Sequence, residues 1–282
     1  MAANPKRSYT INSLDRALRI LTILGERGVP MRVSDISRKL GIDKSTAYRI
    51  ISTLRTRGFV EQESDTRKYT LGLKVLEVAA LKLRSIKLVP GAKPFMEELM
   101  LRTREAVHLA VLAEGEVMYV DSEQCSGPFN VNTQVGGRAP VHSSAVGKAL
   151  LAYRSPEEVN RIVAARGLTR FTDRTIISTE DLHEHLASVR KQGWAMDDEE
   201  TYIGVRCLAS AVLDHRGRAV ASVGVSGPIQ HMTHERISFL GQLVKEAAAK
   251  ISKRLGYVPG TSEGIVAQPA EGSGHREAPR PS

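Results

Sequence analysis

Several groups of residues in this chain carry types that could do chemistry, and each is tested first against the spacing its chemistry requires. Gly147-Lys148 invites a phosphate-loop reading, but position 142 is His rather than Gly, and Ala149 stands where a Ser or Thr would hold magnesium. Ser144 and Lys148 are four apart rather than three, so they do not form a Ser-x-x-Lys nucleophile. Gly147 and Ala149 then read as small residues that let a helix pack closely. The acidic run Asp197–Glu200 has the groups for acid–base or metal work, yet such a run is more often a solvated turn. His183 and His185 flank Glu184, and His231 and His234 are three apart, so neither pair makes the His-Glu-x-x-His zinc pattern. Cys125, Cys207 and His142 could in principle meet around zinc; small buried apolar residues are the default reading of both cysteines. No catalytic set, metal site or cofactor is expected, and the chain is not read as an enzyme.

The residues from Asp43 to Gly58 fit a different chemistry. Ala47, Ile50, Ile51 and Leu54 recur at i, i+3, i+4 and i+7, so they share one face of a helix. The opposite face carries Ser45, Tyr48, Arg49 and Ser52, with Lys44 and Arg55 on its flank and Thr46 on the other side. Short hydroxyls, an aromatic ring and an arginine suit base edges and phosphates. Asp43 is placed to cap this helix, and Gly58 to end it in a left-handed conformation.

The elements that must position that face lie on either side. Upstream, Val33, Ile36 and Leu40 make a short amphipathic helix ending at Gly41, and Gly41-Ile42 leaves room only for a tight turn. Two helices joined this way form the helix-turn-helix pattern. Downstream, 59–63 and 67–71 read as strands around Ser64-Asp65-Thr66, a wing that presents Arg67 and Lys68. Ser45, Thr46, Tyr48 and Arg49 are the candidates for base or adjacent phosphate contacts, with Lys44, Arg67 and Lys68 on the backbone. Before them, Leu14, Ala17, Leu18, Leu21 and Leu24 repeat at helical spacing and are expected to be core. After them, Leu73, Leu76, Ala80 and Leu83 form a two-heptad seam, read as a linker helix over 73–87 that also pairs with its copy in a second subunit.

Charge divides the chain the same way. Residues 1–87 hold 18 Lys/Arg against 8 Asp/Glu, while 88–282 hold 22 against 23. The excess of cations lies in the half with the helix-turn-helix, where it supplies sequence-independent attraction to DNA. Two cysteines are too few for a disulfide framework and fit a reducing cytoplasm. Lys6-Arg7 is not followed by an unbroken apolar run, and no 18-residue apolar stretch occurs, so neither a signal peptide nor a membrane span is expected. The protein is expected in the cytoplasm.

Beyond residue 88 the pattern is mixed: a helix over 94–103, strands over 106–113, 116–122 and 129–135, helices over 144–154, 156–166 and 180–192, strands over 206–213 and 219–226, and a last helix over 233–255. This is an α+β layout built on an antiparallel sheet. The expected divisions are a disordered lead (1–10), a DNA-binding domain (11–72), the linker helix (73–87), a second domain (88–257) and a disordered tail rich in Gly, Pro, Ser and Glu (258–282).

Three stretches together resemble the IclR family of bacterial transcription regulators, over roughly residues 10–257. They are 13–18 with Lys44-Ser45-Thr46 and Arg49; 141–151 (VHSSAVGKALL); and 192–200 (QGWAMDDEE) running on to Gly204, Cys207 and Ser226-Gly227-Pro228. The resemblance implies an N-terminal all-α winged helix-turn-helix with a β-hairpin wing and a C-terminal α+β GAF-like effector domain. It also implies homodimers, often paired into tetramers, that repress or sometimes activate catabolic genes in response to small carboxylates or aromatic acids. Carried over by position, the effector pocket would be touched by the backbone of Ala145 and Val146, where a helix begins, and by Asp197, Cys207, Gly224 and Ser226. Gly224 stands where the resemblance suggests a serine, which would remove one hydroxyl contact and admit a bulkier ligand. Two other readings compete: a ligand-processing enzyme with an attached DNA-binding domain, and a constitutive DNA-binding protein without an effector.

Overall fold

The fold is that of a computed structural model, which describes residues 10–85, 88–124 and 133–258. Cys125, most of the expected strand at 129–135, nearly all of the lead and nearly all of the tail lie outside the described residues. The chain divides into two compact units after residue 86.

The first unit is three helices and a hairpin: α1 (Asn12–Arg27), α2 (Val33–Leu40), α3 (Lys44–Thr56), β1 (Val60–Gln62) and β2 (Tyr69–Leu71), followed by α4 (Leu73–Ser85). Ile20, Leu24, Ile36, Leu40, Ile51, Val60 and Tyr69 close over one core. Gly41 adopts φ 65° between α2 and α3, a conformation that costs glycine nothing and that lets its amide reach the Arg38 and Ser37 carbonyls. Met31 exchanges backbone hydrogen bonds with Tyr69 at 2.9 and 2.7 Å, which ties the α1–α2 connection to the wing. One expectation for α1 is corrected. Leu14 and Leu18 are each 56% exposed, and Ile11 precedes them on the same exposed stripe, whereas the core is reached by Ile20 and Leu24. Helical spacing identifies a stripe but not what covers it. On α4, Leu73, Leu76 and Leu81 are likewise exposed; the side chains of Ala80 and Leu83 lie outside the described residues.

The second unit runs α5 (Leu88–Thr103), β3 (Ala106–Ala113), β4 (Glu116–Glu123), β5 (Arg138–Ala139), α6 (Ala145–Leu151), α7 (Pro156–Arg166), α8 (Thr179–Gln192), β6 (Ala195–Asp198), β7 (Val205–Leu213), β8 (Ala219–Pro228) and α9 (His234–Arg254). The six strands form one antiparallel sheet in the order β5-β4-β3-β8-β7-β6. Side chains alternate across it. Ala110, Val117 and Ala209 pack with Ala145 and Ala149 of α6 on one face, while α5 and α9 cover the other.

Several expectations change here. The helix expected from Pro94 begins at Leu88 and holds Pro94 in its interior. Pro90 falls in the first turn, where its missing N–H has no helical partner to lose, and Pro94 forfeits a single bond. Burial of Leu88, Ala92, Met96 and Leu99 offsets that loss. The expected 144–154 helix is only seven residues long. Residues 133–135 are not strand, and β5 follows at Arg138. The run 197–200 is no solvated turn: β6 ends in it, and Asp197 and Glu200 are both buried.

Candidate functional site

The candidate reading surface is built on α3. The Asp43 carboxylate accepts the Thr46 amide at 2.8 Å and the Ser45 hydroxyl at 2.6 Å. Those hydrogen bonds, the Ser45 hydroxyl foremost, hold the Asp43 carboxyl well below the usual carboxylate range. Lys44, Ser45, Tyr48 and Arg49 are exposed along one face, and Thr46 is half-buried at its edge. Ser45 is therefore committed as a donor to the cap, and only its lone pairs face outward. The wing is braced to this helix, because Arg55 donates to Gln62 Oε1 at 2.9 Å and Gln62 Nε2 donates to the Arg67 carbonyl at 3.1 Å. Arg67 has φ 53°, a left-handed turn conformation at the wing tip; it is exposed, and Lys68 beside it is half-buried. The brace was not legible in the sequence, since Arg55 and Gln62 meet only through the hairpin fold.

A cavity of about 150 Å3 lies in the second unit, between α6 and the sheet. Ala145, Val146, Asp197, Cys207, Gly224 and Ser226 all line it, although they come from α6, β6, β7 and β8. Ser144 caps α6 by accepting the Gly147 amide at 3.2 Å, and its carbonyl accepts Lys148 N. The amides of Ala145 and Val146 are left without an acceptor among the described residues, as expected of the first turn of a helix. Asp197 turns the 199–204 loop by accepting the Glu200 amide at 2.7 Å and the Thr201 amide at 3.3 Å, and burial pushes its carboxyl upward. Burial also pushes the Cys207 thiol well above its usual value, so it remains a thiol. Gly224 corrects an expectation. A Cβ there would stand 2.7 Å from the Leu208 carbonyl oxygen and 2.8 Å from the Ala209 Cβ. The neighbouring strand already fills the space of a side chain, so the glycine does not open the pocket for a bulkier ligand.

Two features of this region escaped the sequence reading. Lys148 is wholly buried beneath α6 and pairs with Glu200. Burial pushes the Lys148 ammonium down and the Glu200 carboxyl up to about 7, and the attraction between the two opposes both shifts. His108 is buried in the cavity wall with both ring nitrogens hydrogen-bonded. The signal for it was a polar residue on the inward face of an otherwise apolar strand. The other polar groupings do not assemble with the cavity. His142 bonds the Thr169 carbonyl and stacks on Phe171, and His183 bonds Asn160. Among the described residues no three His, Cys, Asp or Glu side chains converge as a metal-ligand set, and no helix is long and apolar enough to cross a membrane.

Comparison with known proteins finds two family models along the chain. Residues 13–64 match a family model described as the IclR helix-turn-helix domain, and residues 80–253 match one described as the bacterial transcriptional regulator IclR C-terminal. The chain is 35% identical over 252 residues to the HTH-type transcriptional regulator KdgR of Escherichia coli, covering 89% of this chain and 95% of KdgR. It is 31% identical to the IclR of Thermotoga maritima, whose crystal structure superposes with a TM-score of 0.75 over 88% of this chain and all of that one. An IclR homologue from Microbacterium hydrocarbonoxydans, solved in complex with 4-hydroxybenzoate, is 27% identical with a TM-score of 0.77, covering 86% of this chain and 98% of that one.

Proposed function

Since the chain belongs to the IclR family of bacterial transcription regulators, we propose that it represses a catabolic operon and is controlled by a small organic acid bound in the cavity. The observation that carries this reading is that six residues scattered over 82 positions of sequence line one cavity. Its donors are the free amides of Ala145 and Val146 and the hydroxyl of Ser226, which suits a carboxylate. A volume of about 150 Å3 is also the size of engineered cavities that take up one benzene ring, so a short aliphatic or single-ring acid fits. 4-Hydroxybenzoate in the Microbacterium relative belongs to that class.

In this reading Lys44, Ser45, Thr46, Tyr48, Arg49, Arg67 and Lys68 contact operator DNA, and two copies of the chain present two α3 helices to successive major grooves. The effector acts by binding the free and DNA-bound forms with different affinity. A thermal-shift screen of the full-length protein against aliphatic, keto and aromatic carboxylates tests the site. An acid at 100 times its dissociation constant adds about 2.7 kcal/mol of stability, and Ser226→Ala weakens that gain. A panel that shifts nothing, with DNA binding intact, would refute the effector assignment in favour of constitutive binding. An acid that binds the free and operator-bound protein equally would refute the coupling alone.

A further inference from the structure

The cavity wall contains a titratable group for which neither DNA reading nor the six expected contacts has a use. His108 lies on β3, paired across the sheet with Ser122 of β4 and Gly224 of β8. It is only 3% exposed. Its Nε2 is 2.5 Å from Ser226 Oγ, its Nδ1 is 3.1 Å from Ser122 Oγ, and the Tyr119 ring stands edge-on at 5.6 Å. Burial pushes its pKa down to about 4, so the ring is neutral near pH 7, with one N–H and one bare nitrogen.

Counting hydrogens decides which nitrogen carries the proton. Gln124 Nε2 donates to Ser122 Oγ at 3.0 Å. If His108 Nδ1 also donated there, Ser122 would accept twice and its own hydrogen would meet no acceptor among the described residues. With the proton on Nε2, Ser122 donates to Nδ1 and every member of the chain is satisfied. Nε2–H then occupies a lone pair of Ser226, whose own hydrogen turns to Cys207 Sγ, a weak acceptor in the cavity wall that a ligand carboxylate can displace. Cys207 is paired with Ser226 across β7 and β8, and burial keeps it a thiol.

We propose that His108 is the positioning residue that makes Ser226 a hydrogen-bond donor toward the cavity, so that the site selects a carboxylate over the isosteric carboxamide. The proposal rests on the reading of this cavity as the effector site. In the opposite tautomer Ser226 would spend its hydrogen on His108 and offer the ligand only lone pairs, which suits an amide NH2 instead.

Two measurements on the full-length protein test it. In the first, ring-nitrogen NMR of 15N-histidine-labelled protein is assigned with His108→Gln. A protonated Nε2 and a bare Nδ1 are expected, and a protonated Nδ1 overturns the proposal whether or not any ligand binds. In the second, 4-hydroxybenzoate and 4-hydroxybenzamide are titrated into the wild type, His108→Leu and His108→Gln. The wild type should prefer the acid by about tenfold or more. The preference should collapse in His108→Leu and return in part in His108→Gln, whose amide can again donate to Ser226. An unchanged preference in a folded His108→Leu protein overturns the proposal. If the wild type binds neither probe nor any other acid, the effector reading of the cavity fails, and the NMR result still decides the tautomer.

Discussion

Gly147 explains at the scale of one residue why this chain has a stretch that looks like a phosphate loop. A Cβ at that position would lie 2.5 Å from both the Cα and the carbonyl oxygen of Val141. Both atoms are backbone, so neither can swing aside. Gly147→Ala should therefore destabilise the second unit by about 1–3 kcal/mol, the usual cost of overpacking, read as a lower midpoint in chemical denaturation. Wild-type stability in that variant would mean α6 can shift freely. His108 makes a prediction of opposite character. Its folded pKa, about 4, lies below the usual 6.5 of an unfolded histidine, so the unfolded chain binds the extra proton first. The stability gained by keeping this ring neutral is fully present above pH 6.5 and is lost as pH falls toward 4. The loss is on the order of 3 kcal/mol by linkage. Denaturation midpoints of wild type and His108→Gln across that window check it, since the variant should show a shallower fall.

The elements show where sequence patterning was informative and where it could not be. α2 and α3, with their turn, were legible because burial, the Asp43 cap and Gly41 all point to one conformation. Strands β3 and β4 were equally clear, joined by Glu114-Gly115 at φ 55° and 79°. By contrast, β6 was invisible: it has four residues, two of them acidic, and its strand character comes from pairing with β7. His108 was passed over for a related reason, because only the fold sets it against Ser226, 118 positions away. Leu14 and Leu18 show a third limit. Periodicity marked them as part of an apolar stripe, and the covering it calls for is not supplied within the first unit. Isolated exposed leucines need no explanation, but exposed runs on both α1 and α4 are the apolar surface that the proposed dimer would use. A second copy of this chain is the occupant the family reading calls for. Leu14→Lys combined with Leu76→Lys should shift the protein from dimer toward monomer in sedimentation and weaken operator binding, while each chain stays folded. An undiminished dimer would place the interface elsewhere.

Across the whole molecule, charge is partitioned more sharply than fold. The first 87 residues carry a net +10 and the remainder −1, so nearly all attraction to a polyanion originates in the reading unit. Operator affinity should fall linearly on a log–log plot against salt, with a slope of about −0.9 for each phosphate neutralised. Replacing Arg67 and Lys68 together by Ala should reduce that slope by about 2 per protomer and weaken binding to all sequences alike. A variant with the wild-type slope and altered base preference would mean the wing reads bases instead of holding the backbone.

The start of α4 has a consequence for how such proteins can be recombined. Leu73 N donates to Glu61 Oε1, Lys74 N to the Gly58 carbonyl, and Gly72 sits so close to Gly58 that a Cβ would fall 2.3 Å from its oxygen. The linker helix is thus grafted onto the same residues that end α3 and begin the wing. A hybrid regulator joined before Gly72 would tear this graft and lose the orientation of its reading helix. One joined beyond Ser85 would inherit the reading head and its stem as a single transplantable part.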